Sequence, residues 1–195
     1  PGPPEGRDAI LNELYSEFDR IIGELSEAPA LILDLRGNPG GTDLLGHFLI
    51  DRLVEPGYVY GQLSSRRPWG WSKFAPLHSS APPGTNSLRA PLVCLIDEDT
   101  FSTADNVVAC LADVHPDVRF VGRPNGAGSG APRDFVLPRT RTRMYLSTMR
   151  VRSPVGRSIE GLSVPLDSHV DWSREDVLQG RDPDVREALR LLEPR

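Results

Sequence analysis

An α/β fold with a largely parallel sheet is predicted by the order of apolar patterns along these 195 residues. Three short, continuously apolar runs alternate with segments of helical period. Such runs suit strands covered on both faces, as parallel strands are. The first two runs end in tight turns, and in open α/β sheets the ends of strands are where sites are built. A hydrophobic fraction of 38% with 25% charged residues is the composition of a globular chain.

Residues 5–26 place Ile10, Leu11, Leu14, Phe18, Ile21, Ile22 and Leu25 on a helical stripe. Ala30 to Leu35 predicts the first strand, which runs into the turn Arg36-Gly37-Asn38-Pro39-Gly40-Gly41. Thr42 is placed to cap a second helix that buries Leu45, Phe48, Leu49 and Leu53. Residues 55–90, rich in Pro, Gly, Ser and Trp, predict a long surface excursion in which only Tyr58-Val59-Tyr60 resembles a strand. Pro91 to Ile96 predicts the second strand, Asp97 to Phe101 a turn, and Ser102 to Asp113 a helix burying Val107, Cys110 and Leu111. Val118 to Val121 is the third strand, followed by a glycine-rich segment over 122–130 and β segments over 134–138 and 143–152. Asp182 caps and Pro183 opens a terminal helix with the stripe Val185, Ala188, Leu189 and Leu192. The span 1–195 reads as one domain, and Pro1-Gly2-Pro3-Pro4-Glu5 as a cut point inside a longer protein.

A net charge of -5 gives no general attraction to nucleic acid or anionic lipid. No apolar run reaches membrane-spanning length, and the compartment stays open. Cys94 and Cys110 fall in apolar stretches and read as buried thiols rather than a disulfide or a zinc site. The glycines of 122–130 are not followed by the Lys-Ser/Thr pair of a phosphate loop. No cofactor is implied.

Ser102 follows a buried strand and a sharp turn and opens a helix. That placement exposes a hydroxyl beside backbone N–H groups, with the N–H of Thr103 as an oxyanion donor. Ser102-Thr103-Ala104-Asp105 also reads as a helix-capping box, which geometry alone favours because caps vastly outnumber nucleophiles. In the other turn, Asn38-Pro39-Gly40-Gly41 lacks Cβ atoms where an anion would approach, although glycines also serve simply to make turns.

Leu33-Asp34-Leu35-Arg36-Gly37-Asn38-Pro39-Gly40-Gly41 closely resembles the most recognisable motif of the C-terminal-processing peptidases and their tricorn relatives. Phe101-Ser102-Thr103-Ala104-Asp105 resembles their nucleophile motif, with Asp in place of Glu. Val121 to Gly126 and Gln179 to Pro183 resemble two later family segments. The resemblance implies the layered fold shared with Clp-type proteases and crotonases. It also implies a Ser102 nucleophile, an oxyanion hole from Gly40, Gly41 and the N–H of Thr103, and a peptide or protein substrate. Ser158 to Asp167 is similar to the segment that carries the orienting carboxylate in the tricorn branch, which would be Glu160, with departures at Gly161, Ser163 and the proline.

The base is the missing part. The Ser/Lys branch needs a lysine after the nucleophile, but Lys73, the only lysine, precedes Ser102. The tricorn branch takes a histidine from before the Asp34 motif, and His47 is the first histidine here. His47, His78, His115 and His169 remain internal candidates, His47 and Asp51 being expected on a solvated helix face. The consistent expectation is a catalytic domain whose base lies in an upstream part of the parent chain. The rivals are a catalytically silent binding module of the same fold and a crotonase-like acyl-CoA enzyme, whose motifs are absent. Trp69, Trp71 and Phe74 are candidate peptide contacts, with self-packing as the alternative.

Overall fold

The computed structural model describes residues 4–79 and 88–193, with side chains from residue 9 onward. Helix α1 (Pro4–Glu24) leads into β1 (Leu31–Asp34), then α2 (Asp43–Leu53). Strands β2 (Val59–Arg67), β3 (Gly70–Trp71) and β4 (Ala75–His78) follow. Next come β5 (Leu92–Ile96), α3 (Thr103–Val114) and β6 (Val118–Gly122). Strands β7 (Arg133–Val136), β8 (Arg143–Leu146), β9 (Met149–Arg152) and β10 (Ser168–His169) precede α4 (Arg174–Leu178) and α5 (Pro183–Leu192).

The first sheet has the order β1-β5-β6-β10, and every pair in it is parallel. All five residues of β5 are buried, because this strand is central and covered on both faces. Leu92, Cys94 and Ile96 pack with Ile50, Val108 and Leu111 of α2 and α3, whereas Val93 and Leu95 pack with Val121 and with Ala188 of α5. Each large aliphatic side chain so buried contributes roughly 1.5–3 kcal/mol, so β5 is the spine of the core. Strand β1, at the edge, is only half-buried, and Asp34 at its end is exposed.

Residues 59–79 depart from the expected surface excursion. They form a second, antiparallel sheet in which β2 pairs with β3, β4 and β9. Tyr58 and Tyr60 join the main core, and Leu63, Leu77 and Val151 line a small cavity against Asn106 and Ala109 of α3. Helix α3 therefore lies between two sheets, which explains why it is buried continuously from Thr103 to Leu111. The expected β segment over 143–152 is two strands. Met149 and Thr148 both donate backbone N–H groups to Gly130 O, which turns the chain between β8 and β9. The excursion's remainder at 80–87 lies outside the described residues.

Two helix faces also differ from expectation. In α2 the fully buried residues are Gly46, Ile50, Asp51 and Leu53, while Leu45, Phe48 and Leu49 are half-buried. Asp51 is not solvated: it is 3% exposed and accepts hydrogen bonds from Tyr58 Oη at 2.7 Å and Ser79 Oγ at 2.8 Å. In α5 the exposed Leu189 is replaced in the buried stripe by Leu191. Thr42 and Asp182 cap α2 and α5 as expected, and Cys94 and Cys110 are buried free thiols. Among the described residues no helix is long and apolar enough to cross a membrane.

Arg36 joins the turn after β1 to the distant α5. Its guanidinium donates to Asp34 at 2.6 Å, Asp182 at 2.8 Å and the wholly buried Asp184 at 2.9 Å. Asp184 also receives Trp172 Nε1 and Arg123 Nη1. Hydrogen bonds from Arg36 hold the Asp34 carboxyl below its ordinary range. Removing one partner of a buried ion pair strands the other, so Arg36→Met should cost about 2–4 kcal/mol in urea unfolding. An acid depressed in the folded state adds stability that is complete above its unfolded value and is lost as pH falls through the depressed one. The gap between wild type and Arg36→Met should therefore close as pH falls below the ordinary carboxylate range; a gap independent of pH would remove Asp34 from this account.

Candidate active site

The turns after β1 and β5 meet at the same end of the parallel sheet and are laced together. Thr100 Oγ1 donates to Leu35 O at 2.9 Å, and Phe101 N–H donates to Asn38 O at 2.9 Å. The Asp97 carboxylate accepts Gly37 N–H at 2.9 Å. Gly40 then lies directly on the start of α3. A Cβ at Gly40 would stand 2.6 Å from both Phe101 O and Thr103 N and 2.8 Å from Ser102 Cβ, and its φ is +87°. Only glycine fits.

Ser102 occupies the N-cap position of α3, but its backbone is unlike that of the other caps. Its φ is 60° and ψ -118°, whereas Thr42, Ser173 and Asp182 cap with φ of -88°, -84° and -112°. A non-glycine residue with positive φ is strained by about 1–3 kcal/mol and persists only where surroundings hold it. Here the Ser102 N–H donates to Gly128 O at 2.9 Å and to Asp105 Oδ2 at 3.0 Å. A plain helix cap needs no such strain, whereas a nucleophile on a strand–turn–helix elbow does.

Asp105 is 1% exposed and gathers the surroundings of the serine. Besides Ser102 N–H it accepts Asn125 Nδ2 at 2.5 Å, Gly128 N–H at 2.8 Å and Ala127 N–H at 3.1 Å. Burial pushes its carboxyl above the ordinary range, against the pull of these four donors. The 122–130 segment is thus a clamp on the serine turn. Its glycines give room: a Cβ at Gly126 or Gly128 would strike the Phe101 ring at 2.8 and 2.4 Å.

The N–H groups of Gly41 and Thr103 donate to no protein acceptor among the described residues, whereas that of Gly40 is taken by Asn38 Oδ1 at 2.9 Å. Beside this turn opens a largely apolar cavity of about 320 Å³, lined by Asn38, Gly40, Gly41 and Thr103 and floored by Leu35 and Leu45. Among the described residues no group of three or more His, Cys, Asp or Glu is placed to hold a metal ion.

With these turns in view, the comparisons with known proteins are decisive for descent. The family model for peptidase family S41 matches residues 9–170. The chain belongs to peptidase family S41. Among solved structures, a candidate peptidase from Parabacteroides merdae superposes with a TM-score of 0.81 at 23% identity, over 92% of this chain and 57% of that one. Mature CPAF complexed with lactacystin gives 0.78 at 17% identity, over 98% and 47%. The tricorn protease gives 0.57 at 21% identity, over 91% of this chain and 16% of that one. The chain thus spans less than two thirds of the length of these structures. At such identities the likeness is one of fold. No curated protein matches the sequence significantly.

The S41 fold brings Ser102, Thr103, Gly40 and Gly41 together. Glu160 lies one loop away, exposed, with no hydrogen bond to any of them. Its turn is docked, however: Gly161 N–H donates to Ala127 O at 2.7 Å, next to Gly128, and Ile159 beside it is 6% exposed. Lys73 is exposed between β3 and β4. His115 is buried at the far end of α3, where its Nδ1 accepts Asp117 N–H, and burial lowers its pKa. His169 pairs with Asp171, and His78 is exposed on β4. His47 is half-buried rather than solvated. Its ring stacks on Tyr60 with centroids 3.8 Å apart, and burial lowers its pKa.

Asp97 and Asn125 are not among the expected site residues, because the contacts that join them to the site, with Gly37 and Asp105, come from 60 and 20 residues away. Asp105 stands in the expected motif as the acid three residues after Ser102, but its role as the acceptor of four donors rests on the 122–130 loop. Gly40→Ala should lower the unfolding free energy by well over about 1 kcal/mol, since native φ is left-handed and the new methyl meets backbone. Gly41→Ala bears only the backbone strain of its φ of +156°, with nothing within 4 Å of the new Cβ, and should cost clearly less in the same urea titration. Equal costs would show that the two turns are not in contact.

Proposed function

We propose that this S41 chain is the catalytic domain of a serine endopeptidase that cleaves through a Ser102 acyl-enzyme, on the tricorn-like rather than the Ser/Lys side of the family. The single observation that carries this reading is the left-handed backbone of Ser102, pressed against a glycine turn that admits no Cβ. A strained serine facing two unused N–H groups suits acyl transfer better than helix capping.

In this reaction Ser102 Oγ attacks the scissile carbonyl carbon while a base takes its proton. The N–H groups of Gly41 and Thr103 stabilise the oxyanion, and Gly40 lets the two lie side by side. Collapse returns the proton to the departing amine, and water then hydrolyses the ester. The apolar cavity beside the turn takes a substrate side chain. Glu160 orients the base from its turn on the Ala127 loop. The base is a residue beyond these 195, because no lysine follows Ser102 and no histidine precedes Asp34. Asp34 is structural: it accepts Arg36 N–H and guanidinium bonds and shapes the turn. The span 1–195 works as one domain of a longer protein.

The second reading, a silent binding module, is favoured by the missing base alone. Ser102→Ala in the full-length protein should abolish both hydrolysis of a mixed peptide library and labelling by a fluorophosphonate. The 195-residue chain should be roughly a hundred- to ten-thousand-fold slower than the full-length protein, the usual contribution of a positioned base. Equal rates for the two would place the base inside these residues. Unlabelled Ser102 in an intact full-length protein would favour the silent module.

A further inference from the structure

The solvent face of the second sheet has a chemistry that the proposed reaction does not use. Residues 59–79 and 133–157 hold nine arginines and one lysine against a single acid, Asp134, in a chain of net charge -5. Three of these arginines share one sheet face. Cross-strand pairs Gln62↔Arg152, Ser64↔Arg150 and Arg66↔Trp71 put Arg66, Arg150, Arg152 and Trp71 on the same side, since side chains two apart on a strand point the same way. The opposite side, with Leu63 and Val151, packs on α3.

The guanidiniums of this face are held by aromatic rings rather than neutralised. Arg150 lies 4.3 Å and Arg66 5.4 Å from the Trp71 ring centroid, and Arg152 lies 4.0 Å from that of Phe74. All three arginines are exposed, and among the described residues none makes an ion pair. Ring stacking fixes the guanidinium plane and leaves its N–H fork open, the arrangement that receives carboxylates two at a time. Three like charges at successive positions of one face repel one another until an anion arrives.

We propose that this face docks an acidic, extended segment of the polypeptide substrate, a proposal that rests on the peptidase reading above. Two observations select a peptide. Strand β9 begins where Thr148 and Met149 donate to Gly130 O, two residues beyond the Gly128 carbonyl that holds the Ser102 N–H, so the arginine face is built onto the serine clamp itself. Extended peptides present alternate side chains roughly 7 Å apart, the spacing of alternate arginines on a strand. Single-stranded nucleic acid needs open aromatic faces for base stacking, and here guanidiniums lie over those of Trp71 and Phe74.

The test is binding by the full-length Ser102→Ala protein, which requires no chemistry, of a fluorescein-labelled peptide alternating Glu and Ser. Its Gln-Ser counterpart, a single-stranded oligothymidine and phosphatidylserine vesicles serve as competitors. The Glu peptide should bind at least about tenfold more tightly than the Gln peptide and weaken steeply when salt rises from about 50 to about 500 mM. The triple change Arg66→Ala, Arg150→Ala and Arg152→Ala should lower its affinity by about tenfold, with an unfolding midpoint near that of the parent. The corresponding triple change to Lys should recover part of the loss, which a folding defect would not allow. Equal affinity for the Glu and Gln peptides, an unchanged triple variant, or tighter binding of oligothymidine or vesicles would overturn the proposal. Failure of the peptidase reading looks different: Ser102 of the intact protein stays unlabelled while the Glu peptide still binds through these arginines.

Discussion

Asp105 is the point at which the site is assembled. One buried carboxylate accepts N–H groups from the turn at Ser102, from two residues of the 122–130 loop and from the Asn125 side chain. An unpaired carboxylate in that position would be prohibitively costly, so the four donors must be brought to it. Bringing them there forces the loop over the start of α3 and places the Gly128 carbonyl where it can hold the Ser102 N–H. The loop continues the ordering outward. Asn125 Oδ1 accepts from Ser163 Oγ at 2.6 Å and Val164 N–H at 3.0 Å, which fixes the segment that carries Glu160. The strained conformation of Ser102 is thus held by a chain of satisfied polar groups rather than by its own preference.

Much of this was legible in residue order. The apolar runs at 31–34, 92–96 and 118–122 became adjacent parallel strands, and the glycine and serine turns met at one sheet end because their strands are neighbours. What local pattern could not carry is instructive. Of strand β2 only the start, Tyr58-Val59-Tyr60, was legible, because its register shifts between Val59 and Gly61, which breaks the alternation that marks a strand: Tyr58 and Tyr60 point inward, then Gly61 also becomes buried. Asp51 and His47 look like a solvated pair at helical spacing, but the unforeseen sheet brings Tyr58 and Tyr60 down upon them. The lone Asp97 reads as an ordinary turn residue until its partner, Gly37, arrives from 60 residues away.

The second sheet therefore has two roles that its composition disguises. Its inner face closes the core over α3, and so makes the helix that Ser102 opens a buried one. Its outer face carries arginines held by aromatic rings, in a chain that is acidic overall. Pro, Ser and Gly in this region do not indicate looseness. Ser72, for example, ties the β3–β4 connection to β2, with Ser64 Oγ donating to Ser72 O at 2.6 Å and Ser72 Oγ accepting Ser65 N–H at 3.0 Å. Side-chain hydroxyls do part of the work that backbone pairing does elsewhere.

The junction at Arg36 has a consequence for the order in which the molecule can be completed. Its wholly buried partner, Asp184, is 148 residues later in the chain. During synthesis the glycine turn emerges early with its arginine paired only to the neighbouring Asp34, and loop closure over the longer separation comes late. The turn cannot take its final rigidity until α5 has left the ribosome. A nascent chain therefore carries an unfinished glycine turn until the helix that finishes it, 148 residues further on, has been made.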